Sequence, residues 1–387
     1  MVKKIVSLLI ISVIHFSVLA QNDIKVEGVI IDGNKETLPY TAVSILSKYI
    51  GTVSNDDGAF LLKLKKSNLN DTITVSTLGY KTFKIKVLDY LNLKNKVIVL
   101  KEESVSLDEI ILINPLIVVK DALKKLNQTT YKKPHQLNIL YRRFSNENNS
   151  SRFLVEHFIK VYDIGPTSSI FGLIEIAQAR MSNDYRFAKK KQQFHAVNMI
   201  AKQNPLRKGI SLNKFKWKII DDSSYDGEEV IIIEGKGKKN PSKWIRLYIG
   251  DKTKSIYKLE KSDLNAVYIY KKNKDGKMVL SYHNREYVFW EEVNPRMQKL
   301  LKLKENKIKL SYRHEAIVLG IEFERKEIKV RDNILPRIDM GDYKINYKSD
   351  FWKGLNLPPN SEFYKTSAKQ LENLYGIPIE AQFKRIK

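Results

Sequence analysis

Apolar residues in this chain recur at every second position over short runs, and Gly, Pro, Asn or Asp interrupts nearly every run. Between Gly28 and Tyr80 the interruptions are Leu38-Pro39, Gly51-Thr52, Asn55-Asp56-Asp57-Gly58 and Leu78-Gly79-Tyr80. A period of two puts alternate side chains on opposite faces of a strand, and these dipeptides reverse the backbone. The pattern therefore excludes a helical bundle and predicts sheets. Strand-length runs with β-branched alternation fall at residues 24–31, 41–47, 59–64, 72–77, 82–87 and 96–100, which predicts a β-sandwich. Gly58 and Gly79 are expected to supply positive-φ turn positions, with Phe60 and Tyr80 packing at the sandwich edge.

The pattern resumes beyond residue 136. Strands are predicted at residues 137–144, 153–162, 214–220, 229–234, 244–249, 255–260, 266–270, 278–282, 287–290 and 317–323, with Lys274-Asp275-Gly276-Lys277 as a hairpin turn. Helices are few. Asn114 caps a helix that Pro115 opens and that runs to about residue 127, residues 188–203 have a helical composition, and Ser367 with Gln370 reads as a capping box for a last helix. The division that follows is 1–20, 21–101, 102–135 and 136–387. The fold class is mainly β: a sandwich, then a larger antiparallel β-rich domain with a few helices, shaped as a half-barrel.

Residues 1–20 form the leader pattern of an exported protein: Lys3 and Lys4, an apolar run, then Ala20 with Val18 two positions before it. A secretory signal peptide cleaved between Ala20 and Gln21 is expected. No later run reaches the roughly 20 apolar residues of a membrane-spanning helix. The chain has no cysteine, which removes disulfides, thiol catalysis and cysteine-linked lipidation. Charge is unevenly shared. Residues 21–113 carry 12 Lys against 12 acids, whereas residues 114–387 carry 54 Lys and Arg against 31 acids. For an exported chain such a surface suits anionic lipid or acidic glycan rather than nucleic acid.

The positions Gly28, Pro39, Gly51, Gly58, Phe60, Gly79 and Tyr80 together resemble the pattern of the carboxypeptidase regulatory-like domain, a transthyretin-like β-sandwich of exported proteins in Bacteroidota. The usual Thr-Asp of that pattern stands here as Ser54-Asn55. The resemblance implies a periplasmic or outer-membrane location, and relatives of this module precede the plug of TonB-dependent receptors. It implies no catalytic residue. Tyr141-Arg142-Arg143-Phe144, Glu156, Tyr162 and Phe351-Trp352 resemble an uncharacterised region that follows the module in envelope proteins.

A search for chemistry yields little. His283, Glu286 and the later His314 match the residue types of a zinc carboxypeptidase set, but on a strand a separation of three puts His283 and Glu286 on opposite faces. No nucleophile elbow, phosphate loop or dinucleotide fingerprint is present. The sequence predicts no catalytic, metal or cofactor residues and no cofactor. The expectation is a non-enzymatic envelope protein that binds anionic lipid, glycan or an outer-membrane protein. The alternatives are a zinc peptidase-like hydrolase and an accessory of a TonB-dependent transporter.

Overall fold

The computed structural model describes residues 24–48, 50–103, 114–188, 195–335 and 337–384. The leader, with the Ala20–Gln21 junction, lies outside the described residues. The N-terminal part has seven strands: β1 (Ile24–Ile31), β2 (Ala42–Ile45), β3 (Ile50–Val53), β4 (Ala59–Leu64), β5 (Thr72–Ser76), β6 (Phe83–Lys86) and β7 (Val97–Val99), with a short helix α1 (Val87–Leu91) after β6. One sheet has the order β4-β1-β7; the other runs β3-β2-β5-β6. Their facing apolar residues, including Val26, Ile30, Val43, Phe60, Leu62, Ile73, Val75 and Tyr90, form one core. Gly51-Thr52 lies inside β3 rather than between strands, and Phe60 is fully buried in this core rather than at its edge.

Two close approaches fix the glycines. At Gly28 a Cβ would stand 2.2 Å from the Lys96 carbonyl and 2.3 Å from the Tyr90 hydroxyl, so β1 and β7 can approach only without a side chain there. Gly58 has a φ of +74° in the turn before β4.

The remaining strands are β8 (His135–Glu147), β9 (Ser150–Asp163), β10 (Leu173–Met181), β11 (Phe215–Tyr225), β12 (Glu228–Gly237), β13 (Trp244–Gly250), β14 (Ile256–Lys261), β15 (Ala266–Lys272), β16 (Met278–Glu292) and β17 (Lys307–Glu322). They form an antiparallel curled sheet, a half-barrel, in the order β11-β12-β13-β14-β15-β16-β17-β8-β9-β10. The sandwich joins it through the single pair Gly320 and Ile50.

The helices are α2 (Pro115–Lys124), α3 (Leu126–Thr129), α4 (Asn198–Lys202), α5 (Pro205–Lys208), α6 (Pro295–Leu300), α7 (Ser349–Gly354), α8 (Glu362–Asn373) and α9 (Ile379–Phe383). Val118, Val119, Ile200, Ala201 and Leu206 from α2, α4 and α5 fill the concave side against Leu137, Ile139 and Tyr141 of β8. On the convex side Trp352, Tyr364, Leu371 and Phe383 cover Leu140, Phe144 and Leu154. With both faces covered, β8 and β9 are buried almost throughout. Among the described residues no helix is long and apolar enough to cross a membrane.

Several elements differ from the sequence expectation. Residues 278–292 form one continuous strand, because Arg285 turns inward and finds acceptors there. The last long helix starts six residues early: Ser361, not Ser367, accepts the Tyr364 amide, and Ser367 is a buried residue inside α8. Within residues 188–203 only Asn198–Lys202 is helical among the described residues.

Candidate functional site

The three residues that matched a zinc set do not converge. His283 and His314 lie on adjacent strands with their side chains on the concave face, while Glu286 stands opposite Arg313 in register on the convex face. The His283 ring stacks on Tyr268 at 4.1 Å, and its Nδ1 donates to the Val267 carbonyl at 2.9 Å. His314 Nδ1 is 3.0 Å from the Tyr141 hydroxyl. No group of three or more metal-binding side chains comes together among the described residues.

The histidines belong instead to a buried polar network under α4 and the segment around Asp339. Arg143 makes two hydrogen bonds to Asp339, at 2.8 and 2.7 Å, with both side chains almost fully enclosed. Arg285 donates to the Tyr141 hydroxyl at 3.1 Å, to the Ala196 carbonyl at 2.7 Å and to Gln203 at 3.1 Å. His195 Nδ1 accepts from the Val197 amide, so its Nε2 carries the proton donated to His157 Nδ1 at 2.9 Å. Burial first, and then the Arg143 charge, push the His157 pKa down to about 3. Burial also holds His195, His283 and His314 well below the usual imidazole range, with Arg143 or Arg285 adding to it. The network is neutral at its imidazoles and fixes the helical cover to the sheet.

On the convex face a row of charges crosses four neighbouring strands in register. Glu315 of β17 faces Arg142 of β8, Arg142 faces Glu156 of β9, and Glu156 faces Arg180 of β10. The distances are 3.7, 3.0 and 2.6 Å. Burial would raise the Glu156 pKa, but Arg180 and Arg142 hold it below the usual carboxylate range. The Arg180 guanidinium also lies over Trp352 and Phe383. Alternation explains the Arg142-Arg143 pair: one serves each face.

This row continues into the sandwich. Arg313 pairs with Glu315 at 2.5 Å and with Asp56 at 3.1 Å, and Asp56 also accepts from Tyr40. Asp57 accepts from the Glu362 amide at the start of α8, and Asn55 donates to the Pro359 carbonyl. Tyr40 stacks on Tyr282 of β16 at 4.1 Å. The Leu78-Gly79-Tyr80 turn meets β11, with the Gly79 amide on the Ser224 carbonyl at 2.7 Å. The acidic turn, expected from sequence as a positive-φ turn at Gly58, is a docking element.

Between the docked sandwich and the curled sheet lies a cleft of about 420 Å³. Pro39, Tyr40, Ser76 and Tyr80 line it from the sandwich, and Tyr225, Tyr248, Tyr257, Glu260, Ile269 and Lys271 line it from the sheet. Tyr225 and Tyr257 stack at 4.4 Å, and the Tyr225 hydroxyl is 3.2 Å from Ser76 Oγ. Tyr248 donates to Glu260 at 3.0 Å, and Lys258 and Arg246 hold the same carboxylate at 2.7 and 3.3 Å. Burial pushes the Tyr248 hydroxyl up to about 12, with the Glu260 charge adding to it.

Lys271 is different. It has no acceptor among the described residues, and burial lowers its pKa to about 8. Its Nζ would stand 3.3 Å from a Cβ at Gly51, and Ser44 Cβ would stand 3.1 Å from the same atom, so the glycine makes room for the ammonium.

The sequence singled out Gly28, Pro39, Gly51, Gly58, Phe60, Gly79 and Tyr80 as structural positions. The structure places Gly28, Gly58 and Phe60 inside the sandwich and its turns, but Pro39, Gly51, Gly79 and Tyr80 at or beside the cleft. Sequence reasoning missed Lys271 and the tyrosines. The only available signal was one lysine in an alternating run that otherwise ends in tyrosines, Tyr268-Ile269-Tyr270-Lys271.

Comparisons with known proteins give distant likenesses. No curated protein matches the chain. Among solved structures, an outer membrane lipoprotein-sorting protein domain from Vibrio parahaemolyticus shares 9% identity at a TM-score of 0.26, covering 56% of this chain and 94% of that one. A DUF1329 family protein from Desulfovibrio piger shares 10% at a TM-score of 0.25, covering 56% and 96%. A LolA superfamily protein from Nitrosomonas europaea shares 14% at a TM-score of 0.22, covering 53% and 93%. The model of one family, described as CarboxypepD_reg-like domain, matches residues 26–112, and the N-terminal β-sandwich is a domain of that kind.

Proposed function

We propose that the protein is a non-enzymatic binding protein of the bacterial cell envelope and that its ligand occupies the cleft between sandwich and curled sheet. The observation that carries this reading is the cleft of about 420 Å³ with Lys271, which has no acceptor among the described residues, in its wall. Its volume is in the range of small-ligand sites, and junctions between folding units are where such sites recur. Tyrosine faces accept sugar rings or alkyl chains, and one ammonium accepts a phosphate or carboxylate. The shared chemistry is one anionic group on a body with apolar faces. Glu260, the carboxylate of the cleft, is engaged by Lys258, Arg246 and Tyr248, which favours binding over acid–base catalysis. The leader pattern of residues 1–20 and the regulatory-like module support an envelope location. An accessory role at a TonB-dependent transporter would have to use the sandwich surfaces left free by the docked turns.

Amine footprinting tests the reading on the full chain. Acylation of Lys271 should rise with pH through a midpoint near 8, below that of the exposed lysines. A uronic-acid trisaccharide or dodecyl phosphate should protect it, and which of the two does so separates a glycan from a lipid source. Rapid acylation that neither probe slows would contradict the reading.

A further inference from the structure

The hairpin from β16 to β17 carries an apolar and basic tip that nothing covers among the described residues. β15 pairs with β16 only as far as Asn284, and β8 pairs with β17 as far as Leu310, with Asn148 and Asn149 of the turn after β8 still bonded to Lys309. The hairpin therefore reaches past both neighbours. On it Val288, Trp290 and Leu300 are 50%, 62% and 66% exposed. Val288 and Trp290 share one face of β16, and Trp290 lies opposite Lys309. Residues 290–309 hold six Lys and Arg against Glu291, Glu292 and Glu305. Arg296, Lys299, Lys302, Lys304 and Lys307 are exposed.

Isolated exposed apolar residues are ordinary, but a Trp and a Leu on a projecting tip ringed by lysines are the composition of a surface that enters a lipid interface. Indole prefers the headgroup level, and lysines near a membrane gain from anionic lipid. A protein partner of acidic character would explain the lysines, and the vesicle test below decides against it or for it.

We propose that this tip is a membrane-surface contact: Trp290 and Leu300 enter the interface of an anionic bilayer while the surrounding lysines face its headgroups. The contact does not depend on the cleft. Such a contact requires neither a spanning helix nor a lipid anchor.

Co-sedimentation of the full chain with vesicles tests it. Phosphatidylcholine vesicles with about one third phosphatidylglycerol should bind the protein, pure phosphatidylcholine should not, and salt should weaken the binding. Trp290→Ser should weaken binding by about tenfold. Lys299→Gln, Lys302→Gln and Lys304→Gln should each weaken it about fivefold. Trp290→Phe should bind like the parent but lose the part of the tryptophan fluorescence that brominated acyl chains quench. Leu300→Ser, at the end of α6, is a second probe, and an unchanged melting curve for each variant shows that the fold is kept. Equal binding by the Trp290→Ser and lysine variants would overturn the proposal. So would no binding to either vesicle, which would assign the tip to a protein partner.

Discussion

Acidification from pH 7.5 to pH 5 should cost this protein much of its stability, because four neutral histidines are enclosed in one network. The unfolded chain binds protons at these imidazoles with a pKa of about 6.5, whereas His157 in the fold binds only near pH 3 and His195, His283 and His314 stay well below the usual range. Burial is the main cause for all four. The charged groups facing them are Arg143 and Arg285, which repel a further proton, and Asp339, whose charge Arg143 already takes. Since the unfolded state binds more protons, the stability these groups contribute is complete above about pH 6.5 and falls as pH drops below it. His157, kept neutral down to about pH 3, costs about 2 kcal/mol at pH 5 relative to pH 7.5, and the other three imidazoles add to that loss in the same direction. A domain has about 5–15 kcal/mol in total, so the loss should be a substantial and measurable part of it by pH 5. Urea titrations followed by circular dichroism at both pH values measure this. Midpoints that agree at pH 7.5 and pH 5 would refute the reasoning, since Glu156, with its lowered pKa, cannot compensate in that window. His157→Gln should reduce the slope of stability against pH by about one proton, roughly 1.4 kcal/mol per pH unit.

Removing Asp339 by Asp339→Asn leaves the Arg143 guanidinium enclosed without its counter-charge and should destabilise the fold by about 3–5 kcal/mol, read from the same urea midpoints. Gly28→Ala forces a methyl group onto the Lys96 carbonyl and should cost about 1–3 kcal/mol or more, seen as a lower melting temperature. Asp56→Asn removes a partly exposed ion pair with Arg313 and should lower global stability by only about 1 kcal/mol. It should nevertheless raise hydrogen exchange at the Pro39–Tyr40 turn and at the start of α8, where the sandwich docks.

Alternation made most strands legible. β1 and β4 occupy the spans expected for them, because each has one face in the sandwich core and one toward water. The pattern failed where both faces are covered or where a charge is buried. β16 continues through Asn284-Arg285-Glu286, a break by hydropathy, because Arg285 finds Tyr141, Gln203 and the Ala196 carbonyl inside. β10 was not expected from Leu-Ile-Glu-Ile-Ala-Gln-Ala-Arg-Met, whose Glu175 is held by Lys160 of β9 and the Arg331 amide and whose Arg180 is held by Glu156 of β9. The capping serine was placed at 367 instead of 361, since both precede plausible helix residues and only the amide of Tyr364 distinguishes them. The pairing of His283 with Glu286 was discounted from strand geometry, and the two do face opposite sides. The cleft could not be read from sequence at all. Its walls come from turns of the sandwich and from strands nearly two hundred residues further on, and only the docking of Asn55, Asp56 and Asp57 brings them together.

The central claim is that a ligand with one anionic group binds in this cleft through Lys271. Calorimetric titration of the full chain with the uronic-acid trisaccharide and with dodecyl phosphate, beside the Lys271→Met variant, tests it most directly. At least one probe should bind saturably, about tenfold more weakly to Lys271→Met. That affinity should fall as pH rises through about 8, where Lys271 loses its charge. Binding of neither probe, or binding indifferent both to Lys271→Met and to pH across that range, would contradict the account.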